Sequence, residues 1–518
     1  MAASDPRPRF NVLTATTQDL RQLLEEGTIT SLEIVKTYLD HIFRHDKDGA
    51  KCRAVLYTPQ LFQLLARAAE LDSERSRGSI RGPLHGIPVL LKDSIATSVE
   101  LGMPTSAGSH ALLTSSPSGN SDVASALLES GLIILGKTNM TELIGQKGRA
   151  GWSAVGGMCQ PAYIPSGFKL GEKRRGETTP SGSSTGSAVG VACGFAPIAL
   201  GTETTGSIVS PAAAAALYAL KLTPGSVSLK GVLHVTACFD TVGAMGKTPK
   251  DVALTCDSFR PEGKSGLLAD ATAHVKPEEI SVGFVDIELW RLPKDCQVQD
   301  PKYFEQTAEE YTEAKERLRK HGAKVVDVYI TPPEKYIVGD INVDELMDDI
   351  IDHQAKNGID RYLNDLIYSD VRSLDDIVRF NDEHSDIEFD KDFCPNQDNL
   401  RRLVELAQPD EEMRASLEQC KKWAATEGVD KAVREHGVHV VVCCSDSFFA
   451  GVSVAARYPM ASVPLGYIES SGRPYGLQAV APKDHEDALV KFMAFWESIS
   501  PPRRLPDLEA SASARRYL

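Results

Sequence analysis

Apolar positions recur at helical spacing over the first 80 residues and then give way to short continuous runs. Leu20, Leu23 and Leu24 mark one side of a short helix that stops near Gly27, since glycine is the residue that most readily leaves the helical conformation. Thr30-Ser31-Leu32-Glu33 matches a capping box, and Leu32, Val35, Leu39 and Ile42 continue at the three- and four-residue steps of a second helix. From Gly82 the pattern changes. Ile87-Pro88-Val89-Leu90-Leu91 predicts a buried strand, Asp122 to Ser130 a helix, and Leu132 to Leu135 another strand. Such alternation predicts an α/β core with much parallel pairing.

Residues 137–245 are rich in Gly, Ser, Thr and Ala, with few charges after Lys173 to Glu177. A flexible linker lacks apolar periodicity, whereas Val189, Val191, Phe195, Ile198 and Leu200 supply it, so this stretch is read as embedded in the core. Residues 246–440 return to charged helices: Tyr303 to Lys320, Asp344 to Lys356 with Gly358 as a stop, and Asn399 to His436 broken at Pro409. Val325 to Ile330 and Val438 to Cys443 read as strands. Strand character resumes between Met460 and Val480, and Asp487 to Ile499 predicts a final amphipathic helix. No internal repeat is evident.

Composition narrows the function classes. The 518 residues, 42% of them hydrophobic and 25% charged, are those of an ordinary globular protein with a sizeable core. The net charge of −15 repels phosphate backbones and anionic headgroups, and no basic run exceeds Lys173-Arg174-Arg175, so neither nucleic acid nor a membrane surface is an expected partner. Met1 to Phe10 lacks the apolar segment of a secretory signal. Ser187 to Gly201, broken by Pro197, is shorter than the roughly 20 residues a membrane span needs. The 10 cysteines show no CxxC pair and no metal-ligand spacing, so they read as reduced, structural thiols of a cytoplasmic protein.

Chemistry could sit in one serine-rich loop, in two ways. Gly182-Ser183-Ser184-Thr185-Gly186 satisfies the GxSxG pattern of a nucleophile elbow, which would make Ser184 the nucleophile, but the preceding Leu170 to Thr179 is too polar for the strand an elbow requires. A phosphate cradle at a helix beginning near Ser187 lacks both a Walker lysine and a βαβ fingerprint. A third reading joins separated segments. Gly82 to Asp93 ends an apolar strand on Lys92, Pro180 to Ser187 supplies one serine loop, and Gly201-Thr202-Glu203-Thr204-Thr205-Gly206-Ser207-Ile208-Val209-Ser210-Pro211-Ala212 supplies another. Together they resemble the amidase signature family of Ser-cisSer-Lys hydrolases. Gly136 to Glu142, Ser153 to Gly157 and Ser462 to Gln478 are similar to family segments in the same order, so the likeness spans residues 12–498.

That resemblance implies a nucleophile at Ser207, a bridging Ser183 in a cis peptide and a general base at Lys92. It further implies an oxyanion hole from the backbone N–H groups of Thr204, Thr205, Gly206 and Ser207, loop support from Gly182 and Ser184, and neither metal nor cofactor. A serine is a weak nucleophile until a base takes its proton. A free lysine, with a pKa of about 10.4, is almost wholly charged at pH 7, so burial must lower Lys92 by two to three units for it to serve. Strand alternation points Asp93 to the opposite face. The expected fold is a mixed twisted β-sheet covered by helices on both faces, with a helical cap. Expected boundaries are an N-terminal extension (1–15), a single domain (16–500) and a flexible tail (501–518). Within the domain fall a signature core (80–245), a variable cap (246–440) that also closes over the pocket, and a C-terminal return (441–500).

The sequence departs from the family's common Gly-Gly-Ser-Ile-Arg at Thr205-Gly206-Ser207-Ile208-Val209. The valine form resembles the peptide-amidase-like subgroup, whose members commonly carry Asp where Thr205 stands. The missing charges leave an acidic substrate group without a partner, and the alanine-rich segment from Pro211 to Lys221 changes the shape of the acyl pocket. The expected substrate is a small-molecule or peptide amide, and the expected state a monomer or homodimer. Three alternatives stay open: an esterase or acyltransferase using the same acyl-enzyme, a glutamine amidotransferase A-type subunit, and an inactive scaffold. Ser184 and Ser187 read as structural hydroxyls, His85 as a turn residue, and Cys159, Cys193, Cys443 and Cys444 as buried small hydrophobes.

Overall fold

The computed structural model describes residues 9–173, 176–261, 267–294, 296–297 and 300–516. Arg174 and Arg175 of the basic run lie outside them. Eleven strands form one mixed sheet: β1 (Val55–Tyr57), β2 (Pro88–Lys92), β3 (Ile133–Thr138), β4 (Ile198–Glu203), β5 (Tyr218–Lys221), β6 (Thr241–Gly246), β7 (Ser281–Phe284), β8 (Lys324–Asp327), β9 (Val440–Cys444), β10 (Met460–Tyr467) and β11 (Pro474–Val480). Their spatial order is β1-β3-β2-β4-β6-β5-β10-β11-β9-β7-β8. The trio β3-β2-β4 is parallel, as is β9-β7-β8, and antiparallel pairs join them through β6, β5, β10 and β11.

The helices that bear on the site are α1 (Thr17–Glu25), α2 (Ser31–His45), α3 (Asp122–Glu129), α4 (Thr185–Ala192), α5 (Val209–Ala213), α6 (Pro301–Lys320), α7 (Val343–Asn364), α8 (Ala450–Ala456), α9 (Glu486–Ile499) and α10 (Leu508–Ala514). α2 starts where the capping box places it: Thr30 accepts the Glu33 N–H and Glu33 accepts the Thr30 N–H. Alternation along β9 shows why helices cover both faces. Val440, Val442 and Cys444 enter one core with Tyr311 and Leu318 of α6 and Trp496 of α9. Val441 and Cys443 enter a second core with Met347 and Ile350 of α7 and Val452 of α8. No helix among the described residues is long and apolar enough to cross a membrane.

The small-residue stretch contains α4, every residue of which is buried. A Cβ on Gly186 would sit 2.3 Å from the Ala54 carbonyl oxygen and 2.6 Å from the Asn139 backbone, so the glycine is there to let this helix approach neighbouring backbone. The same physics overturns Gly358 as a stop. α7 runs through it to Asn364, and Gly358 marks the point where α7 crosses the Val235 carbonyl, 2.3 Å from where a Cβ would stand.

The last residues also differ from the flexible tail expected. α10 docks, and the buried Arg515 guanidinium donates to the carbonyls of Ala50, Pro161, Ile164 and Pro165 at 2.6–3.1 Å. At the other end, Lys247 donates to the carbonyls of Val12 and Ala15, and Phe10 packs against Tyr38. From the cap side, Ile359, Leu363, Leu374 and Leu400 form a third core with Leu143 and Ile144, the segment that adjoins the serine loop.

Candidate active site

β2 and β4 are parallel neighbours, with Leu91 opposite Leu200, so their C-terminal ends open side by side. Lys92, the last residue of β2, is completely buried there. Its Nζ lies 2.8 Å from Ser183 Oγ, 3.0 Å from the Thr202 carbonyl oxygen and 2.9 Å from Thr202 Oγ1. Burial is the dominant influence and lowers the Lys92 pKa to about 7, against an opposing pull from Asp240 and Glu203. Asp93 faces away, held by Ser106 at 2.5 Å and Lys137 at 3.2 Å.

Ser183 stands just before α4, in the loop that α4 anchors, and the Gly182–Ser183 peptide is cis. Thr141 donates its N–H to the Ser183 carbonyl at 3.0 Å, and the Thr141 hydroxyl receives the Gly151 N–H. Ser184 Oγ donates to the Thr202 carbonyl at 3.1 Å, and Ser187 Oγ donates to the Leu200 carbonyl at 2.8 Å. Both hydroxyls thus pin α4 to β4. The segment before the loop forms no strand among its described residues, so Ser184 lacks the setting of a nucleophile elbow.

Ser207 lies in the turn between β4 and α5. Its carbonyl accepts the Ser184 N–H at 3.1 Å, which ties this turn to the serine loop. The turn closes on Gly206, whose φ of 72° places it in the left-handed region; a side chain there would also meet Ser210 Oγ at 2.8 Å. Glu203 accepts the N–H groups of Ile208 and Val209 at 2.6 and 3.0 Å. Ser183 and Ser207 are buried at 3% and 8% exposure while Thr205 is exposed, so the site meets solvent along the Thr205 side. Ala450 of α8 faces Gly206, 3.6 Å from where its Cβ would be, and Val209 packs with Met347, Phe449 and Ala450.

The structure therefore brings Lys92, Ser183, Ser184 and the Thr204–Ser207 turn into one locus. His85 lies elsewhere, bound to the Leu71 carbonyl and the Arg81 N–H. No disulfide joins cysteines among the described residues, and no cluster among them has the make-up of a metal site. Sequence reasoning passed over Thr202, near the end of β4, which supplies two of the three partners of Lys92, although it lies only five residues before Ser207. It also passed over Asp240, whose only signal is a lone acid between apolar Phe239 and Val242.

The amidase family's sequence profile matches residues 33–490. A probable amidase of Arabidopsis thaliana is 28% identical over 506 residues, covering 96% of this chain and 92% of that protein. The A-type subunit of the glutamyl-tRNA(Gln) amidotransferase of Natranaerobius thermophilus is 36% identical over 242 residues, 47% of this chain and 45% of that one. Among solved structures, the peptide amidase of Stenotrophomonas maltophilia superposes with a TM-score of 0.82 at 29% identity, covering 96% of this chain and 99% of that one. With its profile spanning most of the sequence and relatives aligned nearly end to end, the chain belongs to the amidase family and is an amide-hydrolysing enzyme.

Proposed function

We propose that the chain hydrolyses an uncharged carboxamide through an acyl-enzyme on Ser207, with Lys92 as base and Ser183 as relay. The observation that carries this reading is the buried Lys92 Nζ within 2.8 Å of Ser183 Oγ. A neutral amine has two N–H donors and one lone pair. The two oxygens of Thr202 accept the donors, which leaves the lone pair for the Ser183 hydroxyl proton. Ser207 Oγ then passes its proton to Ser183 as it attacks the amide carbon. The carbonyl π pair moves onto oxygen, the C–N bond breaks as Ser183 returns a proton to the leaving amine, and water releases the acid by the same relay.

Glu203 engages the N–H groups of Ile208 and Val209, so the donors for the oxyanion are assigned to Thr204 through Ser207. Each is worth on the order of 3 kcal/mol in the transition state. Apolar Val209 and small Ala450 beside the turn support a neutral acyl group, and the likeness to a peptide amidase supports primary amides, peptide C-terminal amides among them. The test is fluorophosphonate labelling together with a screen of primary amides, amidated peptides and anilides. Ser207→Ala is expected to lose label and turnover; a variant that still labels at an active serine rejects the nucleophile assignment.

A further inference from the structure

Asp240 is buried at 2% exposure and lies one residue before β6. In the β4–β6 ladder Glu203 pairs with Thr241, so extending the register by one step sets Asp240 beside Thr204, where the oxyanion turn begins. Its carboxylate only accepts. Oδ2 takes the Val235 N–H at 2.9 Å, and Oδ1 takes the Thr236 N–H at 3.0 Å and the Thr236 hydroxyl at 3.1 Å. Burial raises the Asp240 pKa, and the Val235 and Thr236 N–H groups, the His234 charge and the Thr204 hydroxyl pull it back towards the ionised form; three donors on the carboxylate are the arrangement that favours the anion. The loop it organises is clamped from above by α7, through the close approach of Gly358 to Val235 and a 3.3 Å contact from Cys238 Sγ to Gln354.

The negative charges of Asp240, from this loop, and of Glu203, from β4, both favour the charged form of Lys92 against its burial. They act in the same sense on a second buried lysine, Lys221 of β5, whose Nζ is held by Ser453 Oγ at 2.7 Å and the Tyr458 carbonyl at 3.2 Å. Glu203 is already engaged by two backbone N–H groups of the nucleophile turn. Asp240 is the carboxylate anchored outside that turn. We propose that Asp240 is a positioning residue for amide hydrolysis: it fixes the loop against Thr204 and supplies the negative charge that stabilises the Lys92 ammonium formed when the base takes up its proton.

This inference rests on the Ser207–Ser183–Lys92 reading, and the test separates the two. Lys92→Ala, assayed first, should abolish turnover and labelling; an active Lys92→Ala enzyme overturns both readings. Asp240→Asn removes the charge at nearly constant shape. A weaker base should then show two changes at once: an ascending pH–rate limb moved about one unit lower, and a plateau near pH 9 reduced about tenfold with KM within about twofold. A lower plateau with an unmoved limb would mean a purely structural role, and an unchanged profile would mean none; either overturns the inference while leaving the triad intact. Thr236→Val, which deletes one donor to the carboxylate and leaves its charge less compensated, should move the limb slightly upward, opposite to Asp240→Asn; an unmoved limb in this variant overturns the inference if Asp240→Asn does not fold.

Discussion

A lysine in water is neutral in fewer than about one molecule in a thousand at pH 7, whereas Lys92, with its pKa lowered to about 7, is neutral in about half. Turnover should therefore rise with pH through about 7 and level off above about 8, because the deprotonated amine is the active form. A pH–rate profile of kcat/KM checks this; a limb centred near 10 would remove Lys92 as the base. Among the serines, Ser183→Ala should cost about a thousandfold or more in kcat, since it breaks the relay. Ser184→Ala, losing one bond to the Thr202 carbonyl, should cost only about tenfold or less. Equal losses would reverse the assignment within the pair. The strand-terminal lysine and the two serine loops are legible in sequence as local patterns, and the roles expected of Lys92, Ser183 and Ser207 within them come from the family resemblance. Thr202 and Asp240 are not legible, because Thr202 meets Lys92 only when β2 and β4 pair and Asp240 comes beside Thr204 only when β4 and β6 pair.

At the scale of elements, the helices read well and the short strands less so. α2, α3, α6 and α9 carry caps or amphipathic faces that a sequence displays, whereas β4, β5, β6 and β7 lie inside apolar or glycine-rich stretches whose period is ambiguous. One loop has a testable dependence on pH. Glu142 is fully buried, its carboxyl shared with Lys147 at 2.8 Å, and Lys147 also bonds Glu388 from the cap, which in turn accepts the Ser109 hydroxyl and His110 N–H. Burial above all, with the Glu388 charge adding to it and Lys147 opposing, pushes the Glu142 pKa up to about 8. A carboxyl raised on folding contributes stability that is fully present below about 4.5 and is lost as pH climbs through about 8. Glu142→Gln should flatten that part of the stability–pH curve measured by denaturant melts; an unchanged slope would mean the carboxyl is ionised throughout.

For the molecule as a whole, distant segments are held together by buried polar anchors as well as by apolar cores. Arg515 is the clearest: its guanidinium serves four carbonyls from the N-terminal half. Arg515→Ala leaves those oxygens without their donors, and an expected loss of about 2 to 4 kcal/mol should appear as a lower unfolding midpoint with turnover per folded molecule unchanged. No sequence pattern near residue 515 announces this role, because the carbonyls it serves carry no side-chain signature. The region 246–440, expected as a helical cap, also supplies β7 and β8 to the central sheet, and its later helices contact Leu143 and Ile144 through Ile359, Leu363, Leu374 and Leu400, beside the serine loop.

The placement of β10 and β11 bears on how the sheet assembles. This late hairpin sits in the middle of the spatial order, between β5 and β9, with most of the chain already preceding it. Until it inserts, the earlier strands can form only two half-sheets, each presenting an apolar strand with unpaired N–H and C=O groups. Closing that gap requires contacts between residues more than 200 positions apart, such as Met460 with Lys221, and such non-local pairing is slow. The segment from Met460 to Val480 is thus the keystone of folding, and a chain interrupted before it would expose two complementary edges prone to pairing with other copies.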